Sequence, residues 1–518
     1  MAIKGKIHRT VYIALLCLLT VFMTTSVFLT NLVWFLLLAN WVAEWNWREK
    51  FRDFRHQYAL HAILALAGVY LLWSIGCENT GQTLEVLRIK MPLLAIPLVA
   101  LTSTPLQRKE ALSVAVCYVG TVFVVSLMGL WRYLTLPGLA YRDIVPHISH
   151  IRFGLNVCLC IVLLAYIAYH HPRPWMVATA GVGIAWLLCF LLLLRAYTAF
   201  IALLALALVL PIAYRKRLST AAGWVTIGFG IAVWLSVAFV ALYYHHEYYT
   251  PVAPSSQTER PLLTANGNAY LHRNDGLIEN GNYVHQYVCE KEMRTEWAKL
   301  SDYPFDSLTP VGYTVYPALL RYLNALGATK DSVGMQRLRA SDVAAIEQGI
   351  ANPVYLQRGP RKMFYVLFYE YENYRCFRSV SNFSTLQRIE LWEAGWHVAK
   401  RHPLVGVGTG DVDDVCHEEL VAMQSPLAES HLHLHNQYLT FLVAFGALGT
   451  LAIAFFFLRA WRKGRMCRSA LFTAHLVIVL VSFMADNTLS TLAGITFVVA
   501  GYSLLARIEH PTHTISTT

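Results

Sequence analysis

The sequence predicts an all-α polytopic membrane protein of about twelve transmembrane helices with one large, mainly helical external loop. Three observations point there. Of 518 residues, 56% are hydrophobic and only 14% charged, where soluble domains carry about 25% charge; mean hydropathy is +0.45. The apolar residues gather in blocks long enough to cross a bilayer, which takes about 20 residues per helix. Basic residues sit at the ends of these blocks, the pattern of cytoplasmic anchors. The net charge of +11 is therefore no nucleic-acid footprint, and no nucleic-acid partner is expected.

Taken in order, the first span at about 11–25 follows a basic N-terminus (Lys4, Lys6, Arg9) without an obvious small-residue cleavage site. It reads as a retained helix rather than a removable signal. A second span follows tightly at about 27–45. Arg48, Lys50, Arg52 and Arg55 separate it from a third at about 58–75. Spans continue at about 86–103, 110–134, 150–170, 174–193, 195–214 and 222–244, with Arg108 and Lys109, Arg173, and Arg215, Lys216 and Arg217 at alternate ends. The last three lie at about 433–459, 468–485 and 488–507, with Arg459, Arg462, Lys463, Arg465 and Arg468 after the tenth. These basic groups all fall on one side, which is then cytoplasmic together with both termini. The loop at about 245–432 faces the other side, periplasmic in a bacterium, giving a division into 1–244, 245–432 and 433–518.

The loop is no linker, because it holds Trp297, Trp392, Trp396 and many Tyr, residue types in which disordered segments are poor. Helical periodicity appears at Tyr316–Leu326, Ala340–Ile350 and Leu386–Lys400. Six of the ten cysteines lie in or beside apolar blocks and read as small hydrophobes. Cys77, Cys289, Cys376 and Cys416 lie in external segments and allow one disulfide whose pairing stays open.

Several basic residues break the one-sided pattern: Arg88 and Lys90 before span four, Arg132 and Arg142 after span five, Arg152 opening span six, and Arg195 between two apolar runs. A single external arginine reads as a snorkelling side chain. Several on one face form a fork of donors suited to the phosphates of an anionic lipid. His431, His433 and His435 alternate with leucine where the loop re-enters the membrane. An ionisable group at such a helix mouth costs about 2–3 kcal/mol unless solvated or used. His435 reads as a base towards a hydroxyl, and His431 and His433 as an interfacial polar cap. His431 and His435 also have metal-compatible spacing, but no zincin glutamate follows. Asp411, Asp413, Asp414 and His417 would complete a metal site only through tertiary proximity.

Gly406-Val-Gly408-Thr-Gly410-Asp411 lacks the Lys-Ser/Thr of a phosphate loop and reads as a flexible turn. Gly446 and Gly449 read as small residues that let helices approach. Intramembrane acids are scarce: Glu44 lies near an interface and Asp486 in the turn between the last two spans. Proton-coupled transporters usually need buried carboxylates, so this scarcity weighs against transport.

Together these residues resemble the bacterial O-antigen ligases and O-antigen polymerases. His435-Asn436, nine residues and Gly446-Ala-Leu-Gly449 match one family motif. Arg388-Ile-Glu390-Leu-Trp392 followed by His402-Pro403-Leu-Val-Gly406-Val-Gly408 matches a second, and Arg195 a third, with Ala199 where the family often has Leu. The resemblance implies a GT-C-like architecture and a glycosyltransferase of lipopolysaccharide biosynthesis in the bacterial inner membrane. The implied donor is a glycan on undecaprenyl diphosphate, and the implied acceptor a sugar hydroxyl of lipid A–core. His435 would act as base; Arg195, Arg388 and more weakly Arg152 would hold the diphosphate; Asn436 and Gly406, Gly408, Gly410, Gly446 and Gly449 would support them. The family needs neither nucleotide, cofactor nor metal, and the loop helices would close over the two substrates. A polymerase, a protein O-oligosaccharyltransferase, and, from another class, a flippase for lipid-linked glycans stay open as alternatives.

Overall fold

In the computed structural model, residues 2–136, 139–215, 220–251, 261–273, 275–357, 359–380, 384–430 and 432–508 are described. His431, Lys216 and Arg217, named above, lie outside them. The apolar blocks form helices α1 (Ala2–Phe22), α2 (Val27–Ala43), α4 (Tyr58–Leu72), α5 (Thr80–Thr102), α6 (Arg108–Thr135), α7 (His150–His170), α8 (Pro174–Leu194), α9 (Tyr197–Tyr214), α10 (Thr220–Tyr249), α18 (Gln437–Lys463), α19 (Ala470–Ala485) and α20 (Leu492–Ile508). A short helix, α3 (Trp47–Lys50), follows α2. Each of the twelve expected spans is therefore a helix. Among the described residues seven are long and apolar enough to cross a membrane alone: α1, α6, α7, α8, α9, α10 and α18. Helix α2 passes only jointly with the segment Trp47–His56, which turns from it by 112°. Helices α4, α19 and α20 are apolar but short. Helix α5 carries Glu85, Arg88, Lys90, Pro92 and Pro97, which interrupt its apolar run.

The chain divides into two compact units. The first, Met1–Ile231 with Arg388–Thr518, is the helical unit. Within it α5 packs on α20, α4 on α18, α9 on α19, and α7 on α8, α9 and α19. The second unit is Ala232–Gln387. The expected loop ran to 432, but residues from Arg388 onward cluster with the helices, for reasons given below. Loop helices α11 (Glu290–Leu300), α12 (Val315–Ala325), α13 (Ser332–Met335), α14 (Ala340–Glu347) and α15 (Pro360–Phe377) belong to the second unit. Helix α16 (Ser384–Arg401) starts at the boundary, and α17 (Val412–Ala422) belongs to the first. Three of these sit where periodicity placed them.

The second unit has its own core, with Trp297, Tyr322, Leu323 and Ile346 fully enclosed. A two-stranded hairpin, β1 (Ile278–Glu279) and β2 (Asn282–Tyr283), turns on Asn280 and Gly281, both at positive φ, as a two-residue hairpin demands. All four cysteines considered for a bridge are free thiols.

Candidate active site

Helix α18 begins four residues later than its apolar run, because Asn436 caps it. The Asn436 side chain accepts from the Leu439 amide at 3.1 Å, a bond that contributes about 1 kcal/mol to a helix start. The preceding residue, His435, is left-handed at φ 50°, an uncommon conformation for a residue with a Cβ and a frequent one at functional sites. Its neighbour Leu434 is buried against α16. A Cβ at Gly395 would lie 2.7 Å from Leu434 Cδ2, so α16 reaches this corner only because position 395 is glycine. That contact explains why the chain from Arg388 joins the helical unit.

His435 Nδ1 lies 3.4 Å from Asp486 Oδ1, and Arg152 Nη2 donates to Asp486 Oδ2 at 3.0 Å. One carboxylate thus bridges an arginine of α7 and the histidine that precedes the cap of α18. Burial opposes ionisation of Asp486, but the His435 hydrogen bond and the charges of Arg152, His435 and Arg388 outweigh it and hold the carboxyl below its usual range. The turn carrying Asp486 is itself fixed to the start of α18. The Leu489 amide donates to Gln437 Oε1 at 3.0 Å, and Thr440 Oγ1 donates to Asn487 Oδ1 at 2.8 Å. With Nδ1 facing the carboxylate, Nε2 is the ring nitrogen left for chemistry. The Asp486 side chain is 11% exposed and that of His435 34%, so the imidazole is the member of the pair that a substrate can reach.

The two glycine motifs form one structural unit. At Gly446 α18 is broken, with φ 57° and ψ −164°, and the opened backbone pairs with the segment from Pro403. The Val407 and Gly408 amides donate to the Val443 and Ala444 carbonyls, both at 2.9 Å. The Ala447 and Leu448 amides donate to the Pro403 and Leu404 carbonyls at 2.8 and 3.0 Å. A Cβ at Gly446 would overlap the Leu404 carbonyl, and one at Gly406 the Ala444 carbonyl. Gly446 thus acts through backbone conformation and an inserted backbone segment; Gly449 does pack closely on another helix, against Val69 of α4 and Trp73 at its end. Nor is 406–411 a loose turn. The Thr409 amide donates to the Trp73 carbonyl at 2.8 Å, and Asp411 accepts from the Glu78 and Asn79 amides, both at 3.0 Å. A Cβ at Gly408 would crowd Cys77 Sγ, and one at Gly410 Thr83.

The cations fall into two groups. Arg152 is committed to Asp486, Arg88 is exposed beside Glu85, and Lys90 donates to the Leu489 carbonyl and lies 5.0 Å from the Tyr70 ring. Arg195, Arg142 and Arg388 have no carboxylate partner among the described residues. Arg195 caps the end of α8 in a left-handed conformation at φ 51°. Its Cζ lies 5.3 Å from the centre of the Tyr141 ring. Burial draws Arg388 below its usual value, Asp486 and Tyr141 opposing and Arg142 adding, yet a guanidinium remains charged at any physiological pH. The alanine after Arg195 has a local reason: a Cβ at Gly154 would stand 3.1 Å from Ala199 Cβ, and a leucine there has no room.

His433, read as a polar cap, pairs with Asp413 at 3.0 Å. Sequence reasoning noted Asp486 only as a turn acid and gave Tyr141 no part. Neither carries a local signal, since 51 residues separate Asp486 from His435.

Residues 339–454 match the family model described as O-antigen ligase. This segment contains Arg388, His435, Gly446 and Gly449, and agrees with the family implied by the motifs. No curated protein matches the chain.

Proposed function

We propose, from the premise that this chain carries an O-antigen ligase family domain, that it transfers a glycan from undecaprenyl diphosphate to a sugar hydroxyl of lipid A–core at the periplasmic face of the bacterial inner membrane. The observation that carries the reading is the His435–Asp486–Arg152 arrangement beside arginines that have no carboxylate. Asp486 orients the imidazole and stabilises its protonated form, and Arg152 keeps that carboxylate ionised. His435 Nε2 takes the proton of the acceptor hydroxyl as its oxygen bonds to the anomeric carbon. The bond from that carbon to the diphosphate oxygen breaks, and undecaprenyl diphosphate leaves with the electron pair. Attack opposite the leaving group inverts the anomeric centre. Arg388 and Arg195 hold the diphosphate and offset the charge it gains, an effect typically worth about 3–4 kcal/mol per donor. Arg152 supports the base rather than the leaving group, because Asp486 already occupies it.

The test combines full-length protein, an undecaprenyl-diphosphate-linked glycan and lipid A–core, with a donor-only control. Glycan on lipid A–core is expected, and His435→Ala should abolish it in a protein of unchanged thermal stability. Chain growth in the donor-only tube would make the enzyme a polymerase. Near-normal turnover by His435→Ala would remove the base role.

A further inference from the structure

We propose that Tyr141 is a positioning residue for the diphosphate site, its ring holding the Arg195 and Arg142 guanidiniums in place without neutralising them. The proposal rests on the reading above, in which Arg195 meets the diphosphate. Tyr141 opens a short helical turn, Tyr141–Asp143. Its ring centre lies 5.3 Å from Arg195 Cζ and 5.7 Å from Arg142 Cζ. Arg142 Nε also donates to the Tyr141 hydroxyl at 3.2 Å, and the His150 ring packs edge-on at 5.5 Å. Arg388 is close enough for Tyr141 and Arg142 to act on its charge.

Guanidiniums gathered in this way repel one another, so something must hold them. A carboxylate would hold them by taking both the charge and the N–H donors that a diphosphate needs. The negative face of an aromatic ring attracts the cation through its quadrupole and leaves the Arg195 donors unoccupied, while Arg142 gives one donor, its Nε, to the Tyr141 hydroxyl. An aromatic tether is therefore the one that keeps an anion site empty and ready. The preference for this solution is visible in the pairing: Asp143 lies two residues from Tyr141, yet forms no ion pair with Arg142, Arg195 or Arg388.

The experiment titrates full-length protein in detergent with undecaprenyl diphosphate and, separately, undecaprenyl monophosphate. Tyr141→Leu should weaken diphosphate binding about tenfold, as expected for losing two cation–π contacts, and Tyr141→Phe should stay within about twofold because the ring remains. The monophosphate should lose less. Tyr141→Leu binding like the wild type, or Tyr141→Phe falling as far as Tyr141→Leu, overturns the proposal. Tyr141→Trp covers the case of a leucine variant that does not fold: the indole face should bind the diphosphate at least as tightly as the wild type, and a tenfold loss overturns the proposal. Arg195→Gln separates the two levels. If it weakens binding while Tyr141→Leu does not, only the role of Tyr141 falls. If Arg195→Gln binds like the wild type, the diphosphate reading of Arg195 falls and takes Tyr141 with it.

Discussion

Arg321 in the second unit and Arg195 in the helical unit are both arginines beside tyrosines, and they are satisfied in opposite ways. Arg321 forms a bidentate pair with the fully buried Glu279, at 2.8 and 3.0 Å, and donates to the Tyr355 hydroxyl at 3.1 Å. Its Cζ lies 3.4 Å from the centre of the Tyr369 ring. Asn352 completes the Glu279 carboxylate at 2.8 Å. The cluster ties β1 to α12 inside the unit. Arg195 is exposed and lies against the Tyr141 ring. The difference teaches how a structural arginine differs from one that could serve a substrate as proposed: the first has its charge matched within the chain, the second lies against a ring that leaves its charge open.

The comparison breaks most sharply at Arg321. Removing it leaves Glu279 charged and without its cation in a closed interior, which costs about 3–5 kcal/mol. Arg321→Ala should therefore lower the thermal midpoint steeply, and the folded fraction that remains should turn over normally; a midpoint like the wild type's would remove the structural assignment. Asp486→Asn attacks the mixed case, a carboxylate shared by Arg152 and the proposed base His435. Turnover should fall by about a hundredfold, the lower end of what general-base catalysis contributes, while donor affinity holds. An equal loss of donor affinity would point to Asp486 shaping the diphosphate site instead.

Arg388→Lys keeps the charge and removes the fork. With a charge-assisted hydrogen bond contributing about 1.5–3 kcal/mol, activity should drop roughly tenfold to a hundredfold at unchanged stability, and wild-type activity would deny Arg388 a bidentate contact.

The smallest effect concerns His433. The hydrogen bond to Asp413 raises its pKa, with burial opposing and the charges of Asp413 and Asp486 adding. A raised folded value stabilises the fold fully below the unfolded value of about 6.5 and loses that stabilisation as pH rises through the folded value. The pair is largely exposed, so the gain is at most about 1 kcal/mol. Thermal midpoints of His433→Gln and the wild type, measured across pH, should differ slightly on the acid side and converge on the alkaline side; a gap that widens with pH would contradict the pairing.

The sequence by itself determined the helices and named half of the candidate site. An apolar block forms a helix from its own composition, and the Asn436 cap and the periodicity around Arg388 act within a few residues, so α12, α16 and the apolar helices were legible. His435 and Arg388 were named as candidates from the same local motifs. Only the tertiary structure decided what these residues meet. Asp486 reaches His435 across 51 positions, and the segment after Pro403 enters α18 at Gly446 through backbone bonds that no side chain announces. Tyr141 lies beside Arg195 because α8 ends in a left-handed turn there. Hydrogen-bond partners distant in the chain leave no period in the sequence, and which arginine stays without a carboxylate depends on where every acid ends up in space.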